Sequence, residues 1–137
     1  MEIAFPVEFT VYGTAISHQA KRSESREQWK LKVREAGQVG LPQPHFVSDG
    51  RISICLFYFP ADKMDGDVDN IAKLVLDACC KLIYIDDCQV ERLVVQKFEP
   101  DRLFSFSKPS NTLSRALDGE KPVLYVRISD DPSEDLT

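Results

Sequence analysis

A chain of 137 residues with 43% hydrophobic content can fill one core and not two, which excludes both wholesale disorder and a multidomain layout. No apolar run approaches the ~20 residues that span a bilayer. The start, Met1-Glu2-Ile3-Ala4-Phe5-Pro6, lacks the basic and apolar stretches of a secretory signal, so the chain is expected to be soluble and cytoplasmic, with no membrane partner. The net charge of −5 is segregated. Residues 130–135 carry four acids and no base, and setting these aside leaves 18 acids against 17 bases. Residues 18–34 carry six bases and two acids, which permits a surface for a polyanion. The expected layout is one domain over residues 1–129 and an acidic, disordered tail over 130–137.

The elements follow in chain order. Ile3 to Tyr12 alternates apolar and polar, the pattern of a half-buried strand, and Pro6 suits its start or a sheet edge. A loop over Gly13–Ala20 leads to a helix capped by Ser23 or Ser25, running to about Ala36 and stopped by Gly37. Its Trp29 and Val33 are four apart and mark the inward face. Residues 37–50 are a Gly- and Pro-containing connection. Arg51 to Phe59 is a strand closed by Pro60, and a helix is expected from about Val68 to Leu82. Val90–Phe98 and Pro122–Ile128 are two further strands, and residues 99–120 between them show no periodicity. The order β-α-β-α-β-β predicts an α+β domain, two main helices against a mixed sheet.

The second helix carries an unusual pattern. Ile71, Leu74, Val75, Ala78 and Leu82 form one apolar stripe, while Asp69, Lys73, Asp77 and Lys81 line up opposite at i,i+4 spacing. The plain alternative is a ladder of ion pairs, Asp69–Lys73 and Asp77–Lys81, worth a few tenths of a kcal/mol each. That ladder does not account for the acids upstream. Asp65, Asp67 and Asp69 recur at alternate positions, and crowding them costs energy unless cations intervene. A helix start uses one or two acids, not three. Asp86-Asp87 follow the helix closely. Two acids from the helix start and one from this later turn would suit Mg²⁺, which prefers oxygen ligands and keeps waters and substrate phosphate. Metal-assisted phosphodiester hydrolysis is the chemistry that such a site performs.

Competing motifs fail on spacing. A calcium loop beginning at Asp65 would need Gly where Asn70 stands and Glu where Leu76 stands. No glycine arrangement forms a phosphate-binding loop. The four cysteines (Cys55, Cys79, Cys80, Cys88) make no C-x-x-C pair, so zinc is not expected, and they are read as buried thiols.

The string Asp67-Val68-Asp69-Asn70-Ile71-Ala72-Lys73, then Asp77, then Asp86-Asp87-Cys88-Gln89-Val90, resembles the signature of the RusA family of Holliday junction resolvases. That signature runs D-x-D-N-x-x-K-x-x-x-D, a short hydrophobic stretch, and D-D-x-Q-V. The wider likeness, including the first strand and the loop from Gly13 to Arg22, covers residues 1–98. The resemblance implies that Asp67, Asp69 and Asp87 are catalytic Mg²⁺ ligands and that Lys73 is the essential lysine. It also implies a homodimer that cuts two strands of a four-way DNA junction symmetrically.

The expectation is therefore a Mg²⁺-dependent endodeoxyribonuclease that resolves Holliday junctions in DNA recombination and repair. Asn70 and Asp86 are auxiliary, with helix capping and a turn acid as their respective plain alternatives. Lys21, Arg22 and Arg26 are candidate phosphate contacts, against a simple solvated helix face. The alternative function is a catalytically inactive protein of the same fold that binds junction DNA without cutting it.

Overall fold

The longest apolar runs become the middle of a four-stranded sheet. In the computed structural model, which describes residues 1–16, 20–64 and 66–134, the strands are β1 (Val7–Tyr12), β2 (Ile52–Phe59), β3 (Val90–Lys97) and β4 (Val123–Ser129). Their order across the sheet is β1-β4-β2-β3. β4 pairs antiparallel with both β1 and β2, while β2 and β3 run parallel, so the expected mixed sheet is present. Leu56 illustrates the register, lying opposite Val126 on one side and Val95 on the other. β1 and β3 are the edges, and Pro6 sits just before an edge strand, where its missing N–H breaks no ladder. Of the sequence-based expectations, those resting on Ser17, His18, Gln19, Asp65 and residues 135–137 lie outside the described residues.

Three helices flank the sheet: α1 (Ser23–Gln38), α2 (Asp69–Cys79) and α3 (Asn111–Asp118). A parallel pair such as β2 and β3 cannot be joined by a tight turn, and α2 is the crossover that joins them. α1 and α2 cover one face, packing Trp29, Val33, Ile71, Leu74, Val75 and Ala78 onto Ile52, Ile54, Leu56 and Tyr58. α3 lies on the other face, where Leu113 and Ala116 meet Phe59, Val123 and Tyr125. An aromatic group adjoins it, with Phe98 stacked on Phe59 at 5.0 Å and edge-on to Phe57 at 5.3 Å.

Three expectations are corrected. α1 has neither serine as its cap: Arg22 holds that position without a side-chain bond, and Ser23 is already helical. Gly37 does not stop α1. It continues the buried stripe of Trp29 and Val33, and a Cβ there would sit 3.3 Å from the Phe9 ring, so the small residue serves a close approach. α3 was missed, because eight residues with few apolar positions carry little periodicity. Its start was nonetheless encoded, since the Ser110 hydroxyl accepts from the Leu113 N–H at 3.1 Å. At the C-terminal end, Arg127 pairs with Glu134 at 2.7 Å beyond a turn through Pro132 and Ser133.

Ser110 also donates to Glu8 at 2.5 Å, and the Tyr125 hydroxyl donates to the same carboxylate, which ties α3 to β1 and β4. Replacing Ser110 with Ala removes the cap and one of these bonds. Ser110→Ala should lower stability by about 1 kcal/mol, seen in urea unfolding as an earlier midpoint with an unchanged slope.

Candidate metal centre

β2 ends at Phe59, and the following loop carries the acids to α2. Its path is fixed from a distance: the Met64 N–H donates to Glu99 Oε2 at 2.7 Å. Glu99 is buried at the end of β3, and this hydrogen bond lowers its pKa, with Lys97 adding a smaller attraction at 3.6 Å. Asp67 lies in the loop, Asp69 opens α2, and both are exposed. Val68 holds the cap position without a side-chain bond, so Asn70, the second helical residue, does not cap α2. Among the described residues the side chains of Asp67, Asp69 and Asn70 have no hydrogen-bond or ion-pair partner.

One turn further on, Lys73 meets two carboxylates. Its Nζ lies 3.0 Å from Asp77 Oδ1 and 3.3 Å from Asp87 Oδ2. Asp77 and then Asp87 raise its pKa. The ladder given as the plain alternative is thus not the arrangement found. Lys73 pairs forward, not back to Asp69, although a base N-terminal to its acid is the weaker order on a helix. The second acid, Asp87, makes up the difference. Lys81 lies past the end of α2 with φ of 67°, off the strip it was expected to extend.

The helix ends at Cys79, earlier than Leu82, and outside groups hold carbonyls at and just beyond its end. Arg34 Nη1 donates to Ala78 O at 3.3 Å and to Cys80 O at 3.4 Å, and the His45 ring reaches Leu82 O at 2.7 Å. The chain then reverses through Tyr84, which is fully buried. Its hydroxyl lies 2.8 Å from Leu76 O and 3.4 Å from Asp87 Oδ1, and burial raises its pKa well above the usual tyrosine range. Asp87 therefore stands between a buried hydroxyl and a lysine, held against the flank of α2.

Gln89 fixes the turn that presents it. Its Oε1 accepts from the N–H groups of Ile85 and Asp86 at 2.8 and 2.9 Å, and its Nε2 donates to Ser48 O and Gly50 O at 2.9 and 2.8 Å. Asp86 completes a capping box by accepting from Cys88 N at 3.1 Å, and its bonds from Cys88 lower its pKa. The geometry of Asp86 is that of a turn acid. Tyr84 and Glu99 were not singled out from sequence, and Gln89 was noticed only within the motif. The spacing D-x-x-Q over 86–89 is itself a capping-box signal.

None of the four cysteines forms a disulfide. Cys79 is buried, which pushes its pKa up to about 12, but Cys55 and Cys80 are only half-buried and Cys88 is exposed, so the expectation of buried thiols holds fully at Cys79 alone.

Asp67, Asp69 and Asp87 are hard oxygen donors, and the first two lack a side-chain partner among the described residues, which fits a hard divalent cation in kind. In arrangement, no three His, Cys, Asp or Glu side chains gather closely enough among the described residues to hold a metal. Lys73, not another carboxylate, is the group brought onto Asp87. The basic segment is also partly committed: Arg26 donates to Ala20 O, Lys30 pairs with Glu27 at 2.9 Å, and Arg34 caps α2. Lys21 and Arg22 stand exposed just ahead of α1.

The geometry is that of an acidic and basic strip on a crossover helix. Residues 6–104, from just before β1 to beyond β3, match the family described as Endodeoxyribonuclease RusA. The chain belongs to the RusA endodeoxyribonuclease family. No curated protein matches it. No described helix is long and apolar enough to cross a membrane.

Gln89→Leu should unfasten the turn that holds Asp87. We expect a stability loss of about 1–3 kcal/mol from the stranded polar groups. Hydrogen exchange at the Ile85 and Asp86 amides should quicken by more than at strand β4.

Proposed function

We propose that the chain is a Mg²⁺-dependent, structure-specific endodeoxyribonuclease that resolves four-way junctions by paired phosphodiester hydrolysis in DNA recombination and repair. The observation that carries this reading is the contact of Lys73 with Asp87. It joins the two halves of the acidic motif, 14 residues apart, on one face of α2.

Asp67, Asp69 and Asp87 would hold the cation. Bound there, a divalent ion supplies an activated water and stabilises charge developing on the phosphate. The protein's own groups do the rest. Tyr84 and Gln89 hold Asp87 in place, and Lys73 is a mobile ammonium that can leave Asp87 for a phosphate oxygen. Lys21 and Arg22 attract the backbone, with Arg26 bracing the loop beside them through Ala20. Asn70 and Asp86 act as auxiliary groups.

Paired cuts on a two-fold substrate need two active sites, and a C2 homodimer provides them with one self-complementary surface. The edge strands β1 and β3 are the candidate surfaces.

A second reading, junction binding without cleavage, draws on the lack of a gathered three-ligand cluster among the described residues. One experiment separates the two. A synthetic four-way junction should be cut symmetrically with Mg²⁺ and stay intact with chelator, and binding without any cut would favour the second reading. Asp69→Asn should abolish cleavage while leaving junction affinity nearly unchanged, because it removes a metal ligand and not a DNA contact. Lys73→Ala should lower the rate by about 10²–10³-fold, the scale for losing one charge-stabilising group. A lysine of purely structural worth would instead show a lower melting temperature with normal activity per folded molecule. Light scattering at micromolar concentration should give the mass of two chains.

A further inference from the structure

A cavity of about 250 Å³ opens beside Asp67, between the end of β2, the start of α2 and the segment after β1. Its wall is apolar where Ala15, Tyr58, Met64 and Ile71 contribute, and polar where Asn70 and Asp67 meet it. Tyr58 is only 3% exposed. Its hydroxyl accepts from the Ala15 N–H at 3.1 Å, and among the described residues nothing accepts its own proton. The hydroxyl lines the cavity with its proton uncommitted, so the O–H is a place for a ligand atom to bind. The Asn70 amide beside it is likewise without a partner among the described residues.

These features select a ligand class. The volume is below the ~300–1,000 Å³ typical of sites for larger ligands, which suits a single ring system. The half-buried Met64 thioether and Ala15 methyl offer apolar surface to a flat ring. A hydroxyl donor and an amide can bond the carbonyl oxygens and ring nitrogens on a base edge. Position matters as much as chemistry, because Asp67 belongs both to this cavity and to the proposed metal centre.

We infer that this cavity seats one unstacked base of the DNA strand next to the bond being cut. The inference rests on the nuclease reading and adds a source of structure selectivity to it. A base inside a continuous duplex must be unstacked and unpaired to enter, at a cost of a few kcal/mol, whereas a base at a branch point enters more cheaply. The pocket thereby favours branched over linear DNA before any cut is made. Tyr58 is the specificity residue, through its hydroxyl donor.

The test uses binding, so that it does not depend on cleavage. Junctions carrying a single abasic nucleotide, moved one position at a time around the branch point, are compared with the intact junction in metal-free gel shifts. One position should weaken wild-type binding by about fivefold or more, the scale of the contacts made by a single seated base. Ala15→Phe, which fills the cavity, should bind intact and abasic junctions equally. Tyr58→Phe keeps the ring and removes the donor. It should retain sensitivity to the abasic site but lose discrimination among the four bases at that position. Circular dichroism and melting of each variant establish that it is folded. If the wild type binds intact and all abasic junctions alike, the inference is overturned while Mg²⁺-dependent cutting would still support the nuclease reading. If Ala15→Phe folds and keeps full abasic sensitivity, the base sits elsewhere and the inference is equally overturned. Intact abasic sensitivity without any cleavage would leave the pocket standing and sink the nuclease reading instead.

Discussion

The contact between Lys73 and Asp87 organises the acidic strip on α2. It draws a carboxylate from the turn before β3 onto the flank of α2, where Asp69 and Asp77 already stand one turn to either side of Lys73. An exposed ion pair of this kind contributes little to stability by itself. Its geometry is instead secured from behind, by the buried Tyr84 hydroxyl, by the four hydrogen bonds of Gln89, and by Arg34 and His45 at the end of α2. A weak contact is held in place by strong neighbours, and Lys73 itself stays half exposed to solvent.

The frame beneath follows from one topological demand. β2 and β3 run parallel, so the chain must cross over between them, and the crossover carries every acid of the motif. The apolar stripe of α2 fixes the helix on the sheet, and its opposite side is thereby fixed toward solvent. Glu99, at the far end of β3, ties the loop before α2 through the Met64 N–H. The two ends of the acidic motif are thus both anchored to the strands that α2 connects. The second face of the sheet, with α3 and the phenylalanine group, bears on stability and leaves the acidic strip untouched.

Much of this was legible in the sequence, and the reasons for the gaps are physical. Strands β2 and β4 announced themselves as continuous apolar runs, and α2 through its 3.6-residue stripe. The motif from Asp67 to Val90 pointed to the family that the comparison then showed over residues 6–104. What escaped depended on partners distant in sequence. Helix α3 is short, and its stability comes from the Ser110 cap and its packing on Phe59 and Tyr125. The turn after α2 is tied by Arg34 and His45, 44 and 37 residues away from the carbonyls they reach. Ion pairing along α2 followed the tertiary position of Asp87, not the i,i+4 preference for Asp69. Periodicity cannot encode any of these.

The central claim is that the acids at the start of α2 and those before β3 form one cation site. Mn²⁺ accepts the same oxygen ligands as Mg²⁺, and its unpaired electrons broaden nearby amide resonances. Titrated into the isotope-labelled protein, Mn²⁺ should broaden the amides of residues 67–70 and 86–88 together, at the same concentration. Asp69→Asn should raise that concentration for both groups at once. Broadening confined to one group, or spread equally over other exposed acids such as Glu24 and Asp49, would contradict a single shared centre.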